Sequence, residues 1–87
     1  MGYKVQLHTG VSKYLAKLAK DAPKDAERCR DALRELGRDP FTSRSGVDIS
    51  PWQGEGFDYR IRVDRHRFGY RVDKDEKTVL VDAGRLK

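Results

Sequence analysis

The sequence predicts an α+β domain in the order β-α-α-β-β-β, a two-helix hairpin packed on one face of a small antiparallel sheet. Three observations carry this expectation. Apolar residues recur at helical spacing from Val11 to Leu36. They alternate with polar residues from Phe57 to Val63 and again from His66 to Val72. A last alternating run, Val79, Val81 and Ala83, follows the polar turn Lys74-Asp75-Glu76-Lys77. Two amphipathic helices and a half-apolar sheet bury their apolar sides against each other. The 87 residues make a single domain, 1–87. A chain of this size hides only about 60–65% of the surface its unfolded form exposes, so a shallow surface site is expected rather than a deep cavity.

The elements follow in order. Tyr3 to His8 alternates and reads as a half-buried strand, broken at Thr9-Gly10. Val11, Tyr14, Leu15, Leu18 and Ala19 form the stripe of a first helix, with Thr9 or Ser12 as its cap. Pro23 opens a second helix, because a first turn tolerates proline. Its stripe is Ala26, Cys29, Leu33 and Leu36, and Gly37 and Pro40 stop it. Residues 38–56 carry Pro40, Pro51, three glycines and three serines, and read as a long irregular connection, with Ile49 and Trp52 as its anchors. Phe57, Tyr59, Ile61 and Val63 then face the core, as do Phe68, Tyr70 and Val72 in the following strand.

Composition excludes several classes. No apolar run approaches the ~18 residues of a membrane span, and the N-terminus shows no apolar signal-peptide region. One cysteine permits no internal disulfide, so a reducing, cytoplasmic setting is expected. Cys29, His8 and His66 match no structural zinc spacing, and no metal or cofactor is expected. Nineteen Lys and Arg against fourteen Asp and Glu give a net charge of +5, which favours a polyanionic partner. The charge is uneven: between Tyr59 and Arg71 stand five arginines and one acid, Asp64.

Asp64-Arg65 lies between two alternating runs and reads as a two-residue hairpin turn. That register sets Val63 opposite His66, Arg62 opposite Arg67, Arg60 opposite Gly69 and Asp58 opposite Arg71, with every apolar partner on one face. Arg62 and Arg67 therefore confront each other on the face away from the core. Directly opposed like charges destabilise a sheet. At ~5–6 Å the repulsion is about 1 kcal/mol in water and about 3 kcal/mol at an effective dielectric of 20. An anion between the two guanidiniums relieves it, and phosphate suits their geometry. Arg60 adds a third guanidinium beside Gly69, whose missing side chain leaves space. Asp58 and Arg71 read as an ordinary ion pair.

The segment Tyr59-Arg60-Ile61-Arg62-Val63-Asp64-Arg65-His66-Arg67-Phe68-Gly69-Tyr70 resembles the hairpin of the RelE/ParE toxin superfamily, and the element order and length match that family. The resemblance implies a toxin of a toxin–antitoxin module. In its RelE-like branch the implied activity is ribosome-dependent, metal-independent cleavage of mRNA, which inhibits translation. In its ParE-like branch it is inhibition of DNA gyrase without catalysis. A catalytically weak RNA-binding domain of the same ancestry is a third reading. The resemblance further implies a RelB-like antitoxin as partner, on helix stripes that the sheet cannot fully cover, with the ribosome and mRNA as targets. It places Arg60, Arg62, Arg67 and Arg85 around the scissile phosphate. The chain departs from the family pattern in its Asp64-Arg65 turn, in Gly84-Arg85 where Gly-x-Arg is usual, and in carrying no tyrosine after Arg85.

Cleavage by a neighbouring 2′-hydroxyl requires loss of its proton, stabilisation of charge on phosphorus and protonation of the 5′-oxygen. Arginines meet the second need, but a guanidinium stays protonated and is no base. His66 and Glu55 are the candidate acid/base residues, although strand parity aims His66 at the core. Arg65, Lys87, Lys13 and Lys17 are candidates for RNA backbone contact.

Overall fold

The computed structural model describes residues 2–86, with side chains through Asp82. A strand, β1 (Lys4–Leu7), leads into helices α1 (Thr9–Asp21) and α2 (Pro23–Glu35). Four strands follow, β2 (Asp48–Pro51), β3 (Tyr59–Val63), β4 (His66–Asp73) and β5 (Thr78–Leu86). No helix among the described residues is long and apolar enough to cross a membrane.

The stripe of α1 buries Val11 and Leu15 and half-buries Tyr14 and Leu18. Its cap is neither Thr9 nor Ser12. His8 Nδ1 accepts the Gly10 N–H at 3.1 Å, the imidazole lone pair taking the place of a hydroxyl oxygen. Helix α2 starts at Pro23 and buries Ala26, Cys29, Ala32 and Leu33. Gly37 ends it, but without the left-handed backbone that usually explains such a glycine. Its role is close approach: a Cβ there would lie 3.0 Å from the Tyr3 carbonyl oxygen. That contact seats β1, whose Tyr3 N–H donates to the Gly37 carbonyl at 2.6 Å.

The sheet has five strands in the order β1-β5-β4-β3-β2 and is mixed rather than antiparallel. β1 runs parallel to β5, pairing Lys4 with Thr78 and Leu7 with Val81. A parallel pair needs a long connection, and here it holds both helices and the strands β2, β3 and β4. The extra strand, β2, lies inside the segment expected to be irregular. It pairs antiparallel with β3, Asp48 opposite Arg62 and Pro51 opposite Tyr59. Pro51 hid it in the sequence, yet an edge strand tolerates proline.

Both helices cover one face. Val11, Leu15, Cys29, Leu33 and Leu36 meet Ile49, Ile61, Phe68, Tyr70, Val79 and Val81 in one buried cluster. The connection from α2 to β2 is pinned to this body. Arg44 donates to the carbonyls of Glu35, Asp39 and Thr42, and the buried Tyr70 hydroxyl donates to the Pro40 carbonyl at 2.6 Å.

Burial also shapes the alkaline behaviour. Cys29 has no exposed surface. Desolvation pushes its thiol up to about 11, with the Asp25 and Asp64 carboxylates adding to the effect. An unfolded thiol ionises near 9, so between about 9 and 11 the unfolded chain releases a proton that the folded chain retains. Stability must therefore fall as pH rises through that window. Thermal melts from pH 8 to 11 should show the decline, and Cys29→Ala should make it shallower.

Candidate nucleic-acid interface

The face of the sheet away from the helices carries the arginines. The hairpin register is the expected one: Val63 opposite His66, Arg62 opposite Arg67, Ile61 opposite Phe68, Arg60 opposite Gly69 and Tyr59 opposite Tyr70. The turn is tight because Asp64 adopts a left-handed backbone, φ 54°, which aspartate accepts better than most residues. Arg28 of α2 clamps it, donating to Asp64 Oδ2 at 2.9 Å.

A one-residue irregularity between β4 and β5 then decides what lies beside Arg67. Tyr70 pairs with Val81, but Gly69 pairs with Ala83. Continued without a bulge, the register would set Arg85 opposite His66. The bulge sets it opposite Arg67 instead, since a single slip exchanges the two faces of a strand. Arg62, Arg67 and Arg85 thus form one backbone row across β3, β4 and β5. The alternation expected to carry on through Val79, Val81 and Ala83 is interrupted at this bulge.

The three hairpin arginines do not converge on one point. Arg60 and Arg67 share a groove of about 460 Å³ with Ser50, Pro51, Trp52 and Gln53. Arg62 leans the other way. Its Nε donates to the Asp64 carbonyl at 3.2 Å, and it lines a neighbouring groove that also holds Asp31, Glu35, Asp48 and Asp64. Among the described residues no carboxylate lies within 4.0 Å of the guanidinium of Arg60, Arg62 or Arg67. The Nε of Arg60 is buried with no hydrogen-bond partner there. A buried donor left unpaired costs about 1–3 kcal/mol.

The space expected beside Gly69 is filled. Phe57 lies over it, crossing from the core side predicted by alternation, because β3 begins only at Tyr59 and the loop before it breaks the parity. A Cβ at position 69 would fall 2.9 Å from the Phe57 ring. Trp52 packs edge-on against Phe57, centroids 4.8 Å apart. Arg71 reaches over the same ring and donates to the Gly56 carbonyl. It makes no ion pair with Asp58, whose Oδ2 instead accepts the Val72 N–H at 2.9 Å. Gly69→Ala should therefore lift Phe57 and loosen Trp52, costing about 1–3 kcal/mol as overpacking does. Urea denaturation reads the loss, and the emission of Trp52, the only tryptophan, should shift to the red.

His66 is removed from the site by its face. It is 1% exposed and lies between the sheet and the helices. The Tyr14 hydroxyl is 2.6 Å from its Nδ1, and Asp25 Oδ2 is 3.1 Å from its Nε2. With Nε2–H donating to the carboxylate, Nδ1 is left to accept from Tyr14, so both ring nitrogens are satisfied by a structural network. It cannot reach a phosphate on the opposite face. Glu55 is exposed in the loop after Gln53, and it does not line the groove. Lys13 and Lys17 are exposed on α1, in the helix layer, and are separated by the sheet from Arg60 and Arg67. Arg65 is exposed at the hairpin tip. Lys87 lies outside the described residues. Sequence reasoning missed Ser50, Gln53 and Phe57 as members of this face. The alternation Val47, Asp48, Ile49, Ser50 was the signal available for the first of these.

No protein-family model matches the sequence, and no curated protein does. Solved structures match over nearly the whole chain. The RelBE2 toxin–antitoxin complex from Mycobacterium tuberculosis contains a chain 21% identical with a TM-score of 0.79, covering 100% of both chains. The archaeal RelE–RelB complex from Pyrococcus horikoshii OT3 is 27% identical with a TM-score of 0.78, covering 99% of this chain and 96% of that one. The YoeB/ParE toxin from Agrobacterium tumefaciens is 22% identical with a TM-score of 0.76, covering 97% and 98%. Two helices packed on a five-strand mixed sheet match the fold of these RelE-like toxins. The chain falls in the RelE/ParE toxin superfamily.

Proposed function

We propose that the chain is the toxin of a toxin–antitoxin pair, restrained by a RelB-like antitoxin, and that it cuts mRNA on the ribosome in the cytoplasm. The observation that carries this reading is the groove that Arg60 and Arg67 share on the sheet face away from the helices, with no carboxylate in its described lining. Two of the similar structures are toxin–antitoxin complexes, which supports the antitoxin partner.

In the proposed reaction the ribose 2′-oxygen attacks phosphorus and the bond to the 5′-oxygen breaks. The products are a 2′,3′-cyclic phosphate and a 5′-hydroxyl, with the 2′ proton lost to solvent and one regained at the 5′-oxygen. Arg60 and Arg67 are the groups placed to hold the phosphate, and their charge stabilises the additional negative charge that develops on it. They move no protons at working pH, so positioning and electrostatics supply most of the acceleration. Purified chain added to mRNA-programmed ribosomes should yield fragments ending in cyclic phosphate. Intact mRNA under those conditions would refute the nuclease reading.

One observation favours a second reading, a ParE-like gyrase inhibitor. The described lining of the Arg60–Arg67 groove holds no residue that titrates near neutral pH. Inhibition of gyrase supercoiling together with intact mRNA would select it.

A further inference from the structure

We propose that Trp52 forms the wall of a nucleobase subsite, on which the base adjoining the phosphate held by Arg60 and Arg67 stacks. This rests on the reading that the groove holds RNA, and it adds a residue that the hairpin motif does not contain.

The groove of about 460 Å³ falls in the ~300–1,000 Å³ range of small-ligand sites. Its lining combines two guanidiniums, one indole, the Gln53 amide and the Ser50 hydroxyl. That is the donor set a nucleotide needs: cations for the phosphate, an aromatic surface for the base and an amide for a base edge. A protein partner is a weaker fit, since the described lining offers no carboxylate and little apolar surface beyond Trp52 and Pro51.

Trp52 is not required to tether its own loop. Trp52 N–H does donate to the Asp58 carbonyl, but that is a backbone bond any residue makes. The loop is tied by Phe57 seated on Gly69, by Arg71 on the Gly56 carbonyl and by Asp58 bonded to Tyr70 and Val72. The indole rests edge-on against Phe57 at 69° and stays half-buried along the groove. A ring already held in place costs little entropy when a base stacks on it.

The sole tryptophan reports on its own site. A 2′-O-methyl RNA heptamer, which cannot be cut, should quench Trp52 fluorescence on titration at low salt. Replacing one nucleotide at a time with an abasic residue should identify a position where quenching is lost and binding weakens about 5- to 100-fold. Trp52→Ala should weaken binding of the intact heptamer by a similar factor, and Trp52→Phe should recover most of it. Binding of the wild-type chain with no quenching, or equal affinity for Trp52→Ala, overturns the subsite. If binding persists in these cases and is lost with Arg67→Ala, only the stacking fails. If the wild-type chain does not bind the heptamer at all, the reading of the groove as an RNA site fails with it.

Discussion

Arg67→Ala is expected to abolish growth arrest and to reduce mRNA cleavage on programmed ribosomes by about 100-fold or more, the usual cost of deleting one preorganised charge-stabilising donor. The fold should survive. Arg67 lies on the sheet face away from the helices and makes no ion pair among the described residues. Its removal also takes away the cross-strand repulsion with Arg62, so the melting temperature should stay level or rise slightly. Arg67→Lys keeps the charge but loses the planar fork, and should recover only part of the activity. The two readouts together are diagnostic. A variant that unfolds would place Arg67 among structural residues. One that melts normally and still arrests growth would remove it from the site. Arg62→Ala should have a smaller effect, because its guanidinium leans toward the hairpin tip and the acid-lined groove.

The opposite pattern is expected at His66. His66→Ala removes a fully buried ring that links Tyr14 of α1 to Asp25 of α2 beneath the hairpin. The loss combines a cavity with stranded partners, and about 2–4 kcal/mol is the expected destabilisation. A domain this small has only about 5–10 kcal/mol in total, so the melting temperature should drop by many degrees. Activity per folded molecule should be unchanged at a temperature where the variant is still native. Equilibrium denaturation measures the first effect, and cleavage normalised to the folded fraction measures the second. A variant of normal stability that had lost cleavage would return His66 to the chemistry.

These two residues stand one position apart in the chain and on opposite sides of the sheet, and that contrast was visible in the amino-acid pattern. Period-two alternation reports which neighbours share a face, and the short turn at Asp64-Arg65 reports which residues are opposed across the hairpin. The helix pair and its apolar stripes were legible for the same reason, since both depend on contacts between residues near in sequence.

What escaped the sequence was set by contacts between distant segments. The parallel seating of β1 on β5 joins the two ends of the domain, Lys4 opposite Thr78, across both helices and three strands. Strand β2 exists because β3 offers it a free edge, against the local preference of Pro51. Phe57 leaves the core side because Gly69, twelve residues later, opens a space on the other face that its ring can fill. The bulge between β4 and β5 brings Arg85 level with Arg67, and no periodicity in either strand announces it. Local spacing therefore defined the arginine hairpin and its two faces. Long-range packing, which answers to the shape of the whole assembly and not to any window of sequence, decided which arginines share a groove and which aromatic ring stands beside them.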